Sequence, residues 1–110
     1  MIKVNKQNDI TIVSFDNIDR ITTLIAETIK EDLKTIFQKN PKLIISLKGI
    51  KYIDSTGFGI FLSLLKIANT NNGKFKICNV SPEVFSLFKL LQLHNILDIY
   101  QNEEECINTF

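Results

Sequence analysis

The chain has 110 residues, 45% of them hydrophobic and 23% charged, which suits one folded domain over residues 1–110 and excludes a disordered or fibrous chain. Thirteen basic residues against twelve acidic ones leave a formal net charge of +1. The lysines are scattered rather than gathered into a stripe, so nothing directs the chain to nucleic acid.

Residues 10–15, Ile-Thr-Ile-Val-Ser-Phe, are β-branched and aromatic and partly alternate. They predict a strand, with residues 1–4 as its hairpin partner across Gln7-Asn8-Asp9. Between residues 22 and 38 the apolar positions Ile25, Ile29, Leu33 and Ile36-Phe37 recur at a helical period, while Lys30, Glu31, Asp32 and Lys34 occupy the other face. Asn40-Pro41 ends that helix. Residues 43–47, Leu-Ile-Ile-Ser-Leu, run nearly apolar without alternation, as a central strand covered on both faces does. Lys48-Gly49-Ile50 leads out of it toward Asp54-Ser55-Thr56-Gly57.

Residues 58–68 then read as a helix that is apolar almost all round, apart from a narrow polar line through Gly59, Ser63, Lys66 and Thr70. Asn71-Asn72-Gly73 is a turn, and residues 74–80 alternate as a strand with Phe75 and Ile77 pointing inward. Ser81 and Pro82 open a further helix as N-cap and first helical residue, with Val84, Leu87, Phe88 and Leu91 as its core stripe. Residues 96–100 form a last short strand, and Glu103-Glu104-Glu105 starts a short C-terminal helix. Strand and helix alternate after an initial antiparallel hairpin. The expected fold class is α/β, a mixed sheet of four to five strands packed with about four helices.

The start Met1-Ile2-Lys3-Val4-Asn5-Lys6 lacks the apolar core of a signal peptide, and no apolar stretch is long enough to span a bilayer. The expected location is cytoplasmic, without a membrane partner. Cys78 and Cys106 are far apart in sequence, with no CxxC spacing and no histidine nearby. They are expected to be reduced structural thiols rather than disulfide or metal ligands.

In such sheets functional segments gather where loops leave the carboxyl ends of strands, which draws attention to Asp54-Ser55-Thr56-Gly57. A hydroxyl there lies beside the unpaired N–H groups and positive end of a helix, where a phosphate can be accommodated. Phosphorylation would add roughly −1.5 to −2 charges next to Asp54 and so alter docking of a partner rather than folding. The plainer reading is that Asp54, Ser55 and Thr56 only cap the helix, and the local pattern alone favours it.

Enzyme readings are weaker still. The one histidine, His94, follows an apolar helix, reads as a loop or C-cap residue, and no G-x-S-x-G elbow is present. A carboxylate-pair hydrolase would need a second acid near Asp54, and the segment is not a clean D-[ST]-G because an extra hydroxyl residue intervenes. Gly57-Phe58-Gly59 does not extend into a nucleotide-binding loop, so no cofactor is expected.

The run Leu43-Ile44-Ile45-Ser46-Leu47-Lys48-Gly49-Ile50-Lys51-Tyr52-Ile53-Asp54-Ser55-Thr56-Gly57-Phe58-Gly59 closely resembles the central signature of the STAS-domain anti-sigma factor antagonists. Asn17-Ile18-Asp19 resembles that family's acidic turn after the second strand, and residues 79–88 resemble its passage from strand to third helix. The resemblance covers essentially the whole chain. It implies a STAS fold and a non-enzymatic partner switch. The unphosphorylated protein would bind a serine-kinase anti-sigma factor and release a sigma factor, phosphorylation of Ser55 would end binding, and a PP2C-type phosphatase would reset the cycle.

By motif position Ser55 is the acceptor, with Thr56 adjacent as a shaping residue or minor target. The resemblance places Asp19, Asp54, Ser55, Thr56, Gly57, Phe58, Gly59, Phe61 and Leu62 on the partner-binding side, with core packing as the competing role of Phe61 and Leu62. Two positions depart from the family pattern. Asp16 stands where glycine is common ahead of the acidic turn, and Gln92 stands where glycine is common after the third helix. The alternatives are a STAS module that binds a small ligand or nucleotide, and one that controls a target other than a sigma factor.

Overall fold

A computed structural model describes residues 1–110. Strands β1 (Ile2–Gln7) and β2 (Ile10–Phe15) form the antiparallel hairpin. Gln7 pairs with Ile10, so β1 runs three residues beyond the expected Val4 and the turn shrinks to Asn8 and Asp9. Asn8 takes φ 59°, a left-handed conformation that asparagine tolerates better than most residues. The chain continues through β3 (Arg20–Ile21), α1 (Thr23–Lys39), β4 (Lys42–Ser46), β5 (Tyr52–Ile53) and α2 (Ser55–Asn71). It closes with β6 (Lys74–Cys78), α3 (Pro82–Leu90), a 3-10 turn at Leu93–Asn95, β7 (Asp98–Tyr100) and α4 (Glu103–Ile107).

The main sheet has five strands in the order β1-β2-β4-β6-β7, and every pairing after the hairpin is parallel. β4 lies at the centre because both of its faces are apolar. Side chains alternate across a strand, so Leu43 and Ile45 enter the main core while Ile44 enters a smaller cluster on the opposite face. All three are fully buried.

The main core collects Ala26, Ile29, Leu33 and Phe37 from α1, the apolar face of α2, and Val84 and Phe88 from α3. The smaller cluster joins Ile10, Ile12 and Ile44 with Cys78 and Cys106, the latter brought in by α4. Both cysteines are free. Burial pushes the Cys78 thiol up to about 11 and the Cys106 thiol up to about 12.

Three local expectations need correction. α2 begins at Ser55 rather than after Gly57, so the motif forms the first turn of the helix. Leu91 is not a core residue: it is half-exposed at the C-cap of α3, because that helix ends at Leu90. The last strand starts at Asp98, and Ile96 is exposed ahead of it.

One element carries no sequence signal. β3 and β5, two residues each, pair in parallel as a separate ribbon, with Arg20 opposite Tyr52 and Ile21 opposite Ile53. Lys51 N–H donates to the Asp19 carbonyl at 2.6 Å, and Asp54 N–H donates to the Ile21 carbonyl at 3.1 Å. β3 runs through Thr22 into α1, and β5 runs through Asp54 into α2. The ribbon therefore delivers two helix N-termini side by side.

Candidate modification and docking site

An α-helix leaves its first N–H groups without partners, and a carboxylate just ahead of the helix can satisfy them. Asp54 does this for two helices at once. As N-cap of α2 its Oδ1 accepts from Gly57 N–H at 2.9 Å, and its Oδ2 accepts from Thr23 N–H, the first residue of α1, at 2.9 Å. Thr22, the N-cap of α1, makes no side-chain capping bond, so Asp54 replaces it. The Thr23 hydroxyl donates to the same Oδ2 at 3.2 Å and lies 3.1 Å from the Thr56 hydroxyl. The Gly57 N–H, followed by the Thr23 groups, holds the Asp54 carboxyl below its ordinary value.

This network divides the three capping candidates. Asp54 is the cap, Thr56 is tied to Thr23, and Ser55 is left at the first helical position with an exposed hydroxyl that bonds to nothing within the chain. A hydroxyl in that state is open to another protein's active site. The plain capping reading holds for Asp54 and fails for Ser55.

The two glycines also separate. Gly57 is buried, and a Cβ there would lie 2.6 Å from Ile53 Cγ2 and 2.8 Å from the Ile21 carbonyl oxygen, so its bareness lets α2 sit against the ribbon. A Cβ on Gly59 would meet nothing within 4 Å. Ser55, Gly59 and Leu62 follow one another at helical spacing, and Leu62 is 40% exposed. A groove of about 320 Å³ between α1 and α2 runs past Thr56, Gly59 and Ser63, with Glu27 and Lys30 on its other wall.

Phe58 and Phe61 do not reach this surface. They are 4% and 1% exposed, with ring centroids 4.9 Å and 5.8 Å from that of Phe88. The helical register that exposes Ser55 and Leu62 turns both rings into the core. Asp19 is exposed at the start of β3, at the opposite end of the ribbon from Asp54. The site also contains residues that sequence reasoning missed. Thr23 is one, and Leu24, 94% exposed in the first turn of α1, is another. An apolar residue left bare beside two helix N-termini is a signal that only the assembled fold displays.

A mainly apolar hollow of about 320 Å³ lies among Val80, Pro82, Phe85, Ile99, Tyr100 and Gln101. It shares no residue with the Ser55 site. His94 is exposed in the 3-10 turn, its ring centroid 6.3 Å from that of Phe85. No helix is long and apolar enough to cross a membrane.

A family model described as the STAS domain matches residues 1–106. The anti-sigma-B factor antagonist of Bacillus subtilis is 32% identical over 98 residues, covering 89% of this chain and 87% of that protein. The anti-sigma F factor antagonist of Paenibacillus polymyxa is 36% identical over 61 residues, 56% of this chain and 52% of that one. Among solved structures, a STAS-domain protein from Planctomyces limnophilus superposes with a TM-score of 0.89 at 20% identity, over 98% of this chain and 96% of the other. The anti-sigma factor antagonist SpoIIAA in its unphosphorylated form superposes with a TM-score of 0.73 at 18% identity, over 99% and 96%. The chain belongs to the STAS-domain family of anti-sigma factor antagonists.

Proposed function

We propose that this chain is an anti-sigma factor antagonist whose partner binding is switched by phosphorylation of Ser55. In the unmodified state the exposed first turn of α2, with Asp54, Ser55, Thr56, Gly59 and Leu62, docks on an anti-sigma factor of the serine-kinase type, and Asp19 extends the surface along the ribbon. Gly57, Phe58 and Phe61 support that surface from beneath. The bound kinase transfers the γ-phosphoryl group of ATP. The Ser55 Oγ–P bond forms as the β–γ phosphoanhydride bond breaks, the hydroxyl proton passes to a base of the kinase, and ADP leaves. A PP2C-type phosphatase hydrolyses the ester and resets the protein. The chain itself performs no catalysis, and the cycle runs in the cytoplasm.

The observation that carries this reading is the free, exposed Ser55 hydroxyl at the first position of α2, beside a carboxylate fully engaged in capping. The phosphate would project from the helix end rather than displace a structural contact. It would then act by charge on whatever surface had fitted the neutral hydroxyl.

Incubation with the anti-sigma kinases of the same genome and ATP, followed by mass spectrometry, tests this. Phosphate is expected on Ser55 and is lost in Ser55→Ala, whereas a wild-type chain that none of those kinases modifies contradicts the reading. Ser55→Asp should keep the thermal midpoint within about 3 °C of wild type, as a surface change does, while weakening kinase binding. The apolar hollow at Val80, Phe85 and Tyr100 favours a second reading, a small-ligand site. A saturable rise in thermal midpoint with nucleotides or apolar metabolites, independent of Ser55, would support it.

A further inference from the structure

We propose that Thr23 selects the phosphate acceptor, by holding the Thr56 hydroxyl in a chain of hydrogen bonds that ends on Asp54 and leaving Ser55 as the one free hydroxyl of the motif. This rests on the reading that the motif is phosphorylated. It goes further by naming the residue that decides which of two adjacent hydroxyls reacts.

An ionised carboxylate only accepts hydrogen bonds, and each hydroxyl has a single proton to give. Thr23 Oγ1 lies 3.2 Å from Asp54 Oδ2, so its proton goes to Asp54. The same Oγ1 lies 3.1 Å from Thr56 Oγ1, and with its own proton committed it can only accept there. Thr56 must therefore donate. The chain runs Thr56 to Thr23 to Asp54, and Asp54 is fixed at its far end by the Gly57 and Thr23 N–H groups.

A hydroxyl that accepts a phosphoryl group must release its proton to the kinase's base as the O–P bond forms. For Thr56 that release breaks its bond to Thr23 and turns its oxygen away from α1. For Ser55 it breaks nothing. The nearest reactive-looking rival of Ser55 is thus disarmed by a side chain 33 positions earlier in the sequence. Thr23 is a positioning residue: it touches neither ATP nor the transferred group.

The test is the partition of phosphate between Ser55 and Thr56, read by fragment mass spectrometry after reaction with the same genome's anti-sigma kinases and ATP. Wild type and Thr23→Ser, which keeps the hydroxyl, should carry phosphate on Ser55. Thr23→Val keeps the shape and removes the donor, and the share on Thr56 should rise about fivefold, the factor a hydrogen bond of ordinary strength is worth. In the Ser55→Ala background, Thr56 should accept phosphate only when Thr23→Val is also present. An unchanged partition in folded Thr23→Val, or equal partitions in the Val and Ser variants, overturns the assignment and leaves the switch intact.

Should Thr23→Val fail to fold, three-bond couplings in wild type decide. They should report one χ1 rotamer for Thr56 and averaging for Ser55, and averaging at Thr56 overturns the proposal. A wild-type chain phosphorylated on neither residue removes the switch itself, and this assignment with it.

Discussion

Gly57 and Gly59 stand two residues apart in one helix, and different reasons keep a side chain out of each. At Gly57 the obstacle lies inside the molecule: a methyl group would meet Ile53 and the backbone carbonyl of Ile21, which cannot swing away. Gly57→Ala should destabilise the domain by roughly 1–3 kcal/mol, the range for forcing extra volume into a packed site. At Gly59 the space is open, and alanine is a better helix former than glycine by about 1 kcal/mol. Gly59→Ala should therefore stabilise by about 0.5–1 kcal/mol and, on the proposed docking face, weaken partner binding. Denaturant titrations of both variants, with binding measured on the second, check the pair. Stabilisation of Gly59→Ala with unchanged binding would remove Gly59 from the interface.

Asp54 adds a pH dependence of definite sign. Its folded-state value is lowered by the Gly57 and Thr23 donors. A carboxyl whose folded value lies below its unfolded value of about 3.9 stabilises the fold above that value, and the contribution is lost as pH falls through the folded value. The gap in thermal midpoint between wild type and Asp54→Ala should be full at neutral pH and close as the solution is acidified below about pH 4. A gap that stays constant from neutral pH down to that range would show that the carboxylate's charge contributes nothing to the caps.

At the scale of elements, the β3 and β5 ribbon explains why the site exists. Each strand is too short to be seen as a period in the sequence, yet their pairing places the starts of α1 and α2 together and lets one carboxylate serve both. The loop after α3 shows the opposite case, a local departure with a local cost. Four of the five non-glycine residues at positive φ are asparagines, and the fifth is Gln92 at φ 58°. Glutamine lacks the short side chain that eases this conformation, and glycine has no such difficulty. Gln92→Gly should raise stability by about 1 kcal/mol, visible as a rise of a few degrees in thermal midpoint. A fall would mean that the Gln92 side chain makes up for its backbone. The other departure is accommodated differently, since the left-handed residue of that turn is Asn17 at φ 62° rather than Asp16.

At the scale of the whole molecule, much of the architecture was legible because its signals are local. The apolar run at Leu43-Ile44-Ile45 announces a strand buried on both faces, Ser81-Pro82 announces a helix start, and both features stand where expected. Asp54 and Ser55 were legible as a pair, but not that Asp54 serves a second helix or that Thr56 is tied down, since both depend on where Thr23 arrives. That contact spans 31 positions and passes through a ribbon with no sequence signature. Phe58, expected on the partner-binding side, and Phe61, left open between that side and the core, are both buried for a related reason. A helix apolar nearly all round does not declare which face meets the sheet until α3 brings Phe88 against it.

The switch itself is a claim about affinity, and calorimetric titration of the anti-sigma kinase with the chain before and after complete phosphorylation on Ser55 measures it directly. The modified chain is expected to bind at least about a hundredfold more weakly, the scale of burying an unmatched charge in an interface, while both forms melt within about 3 °C of one another. Equal affinities for the two forms would contradict it.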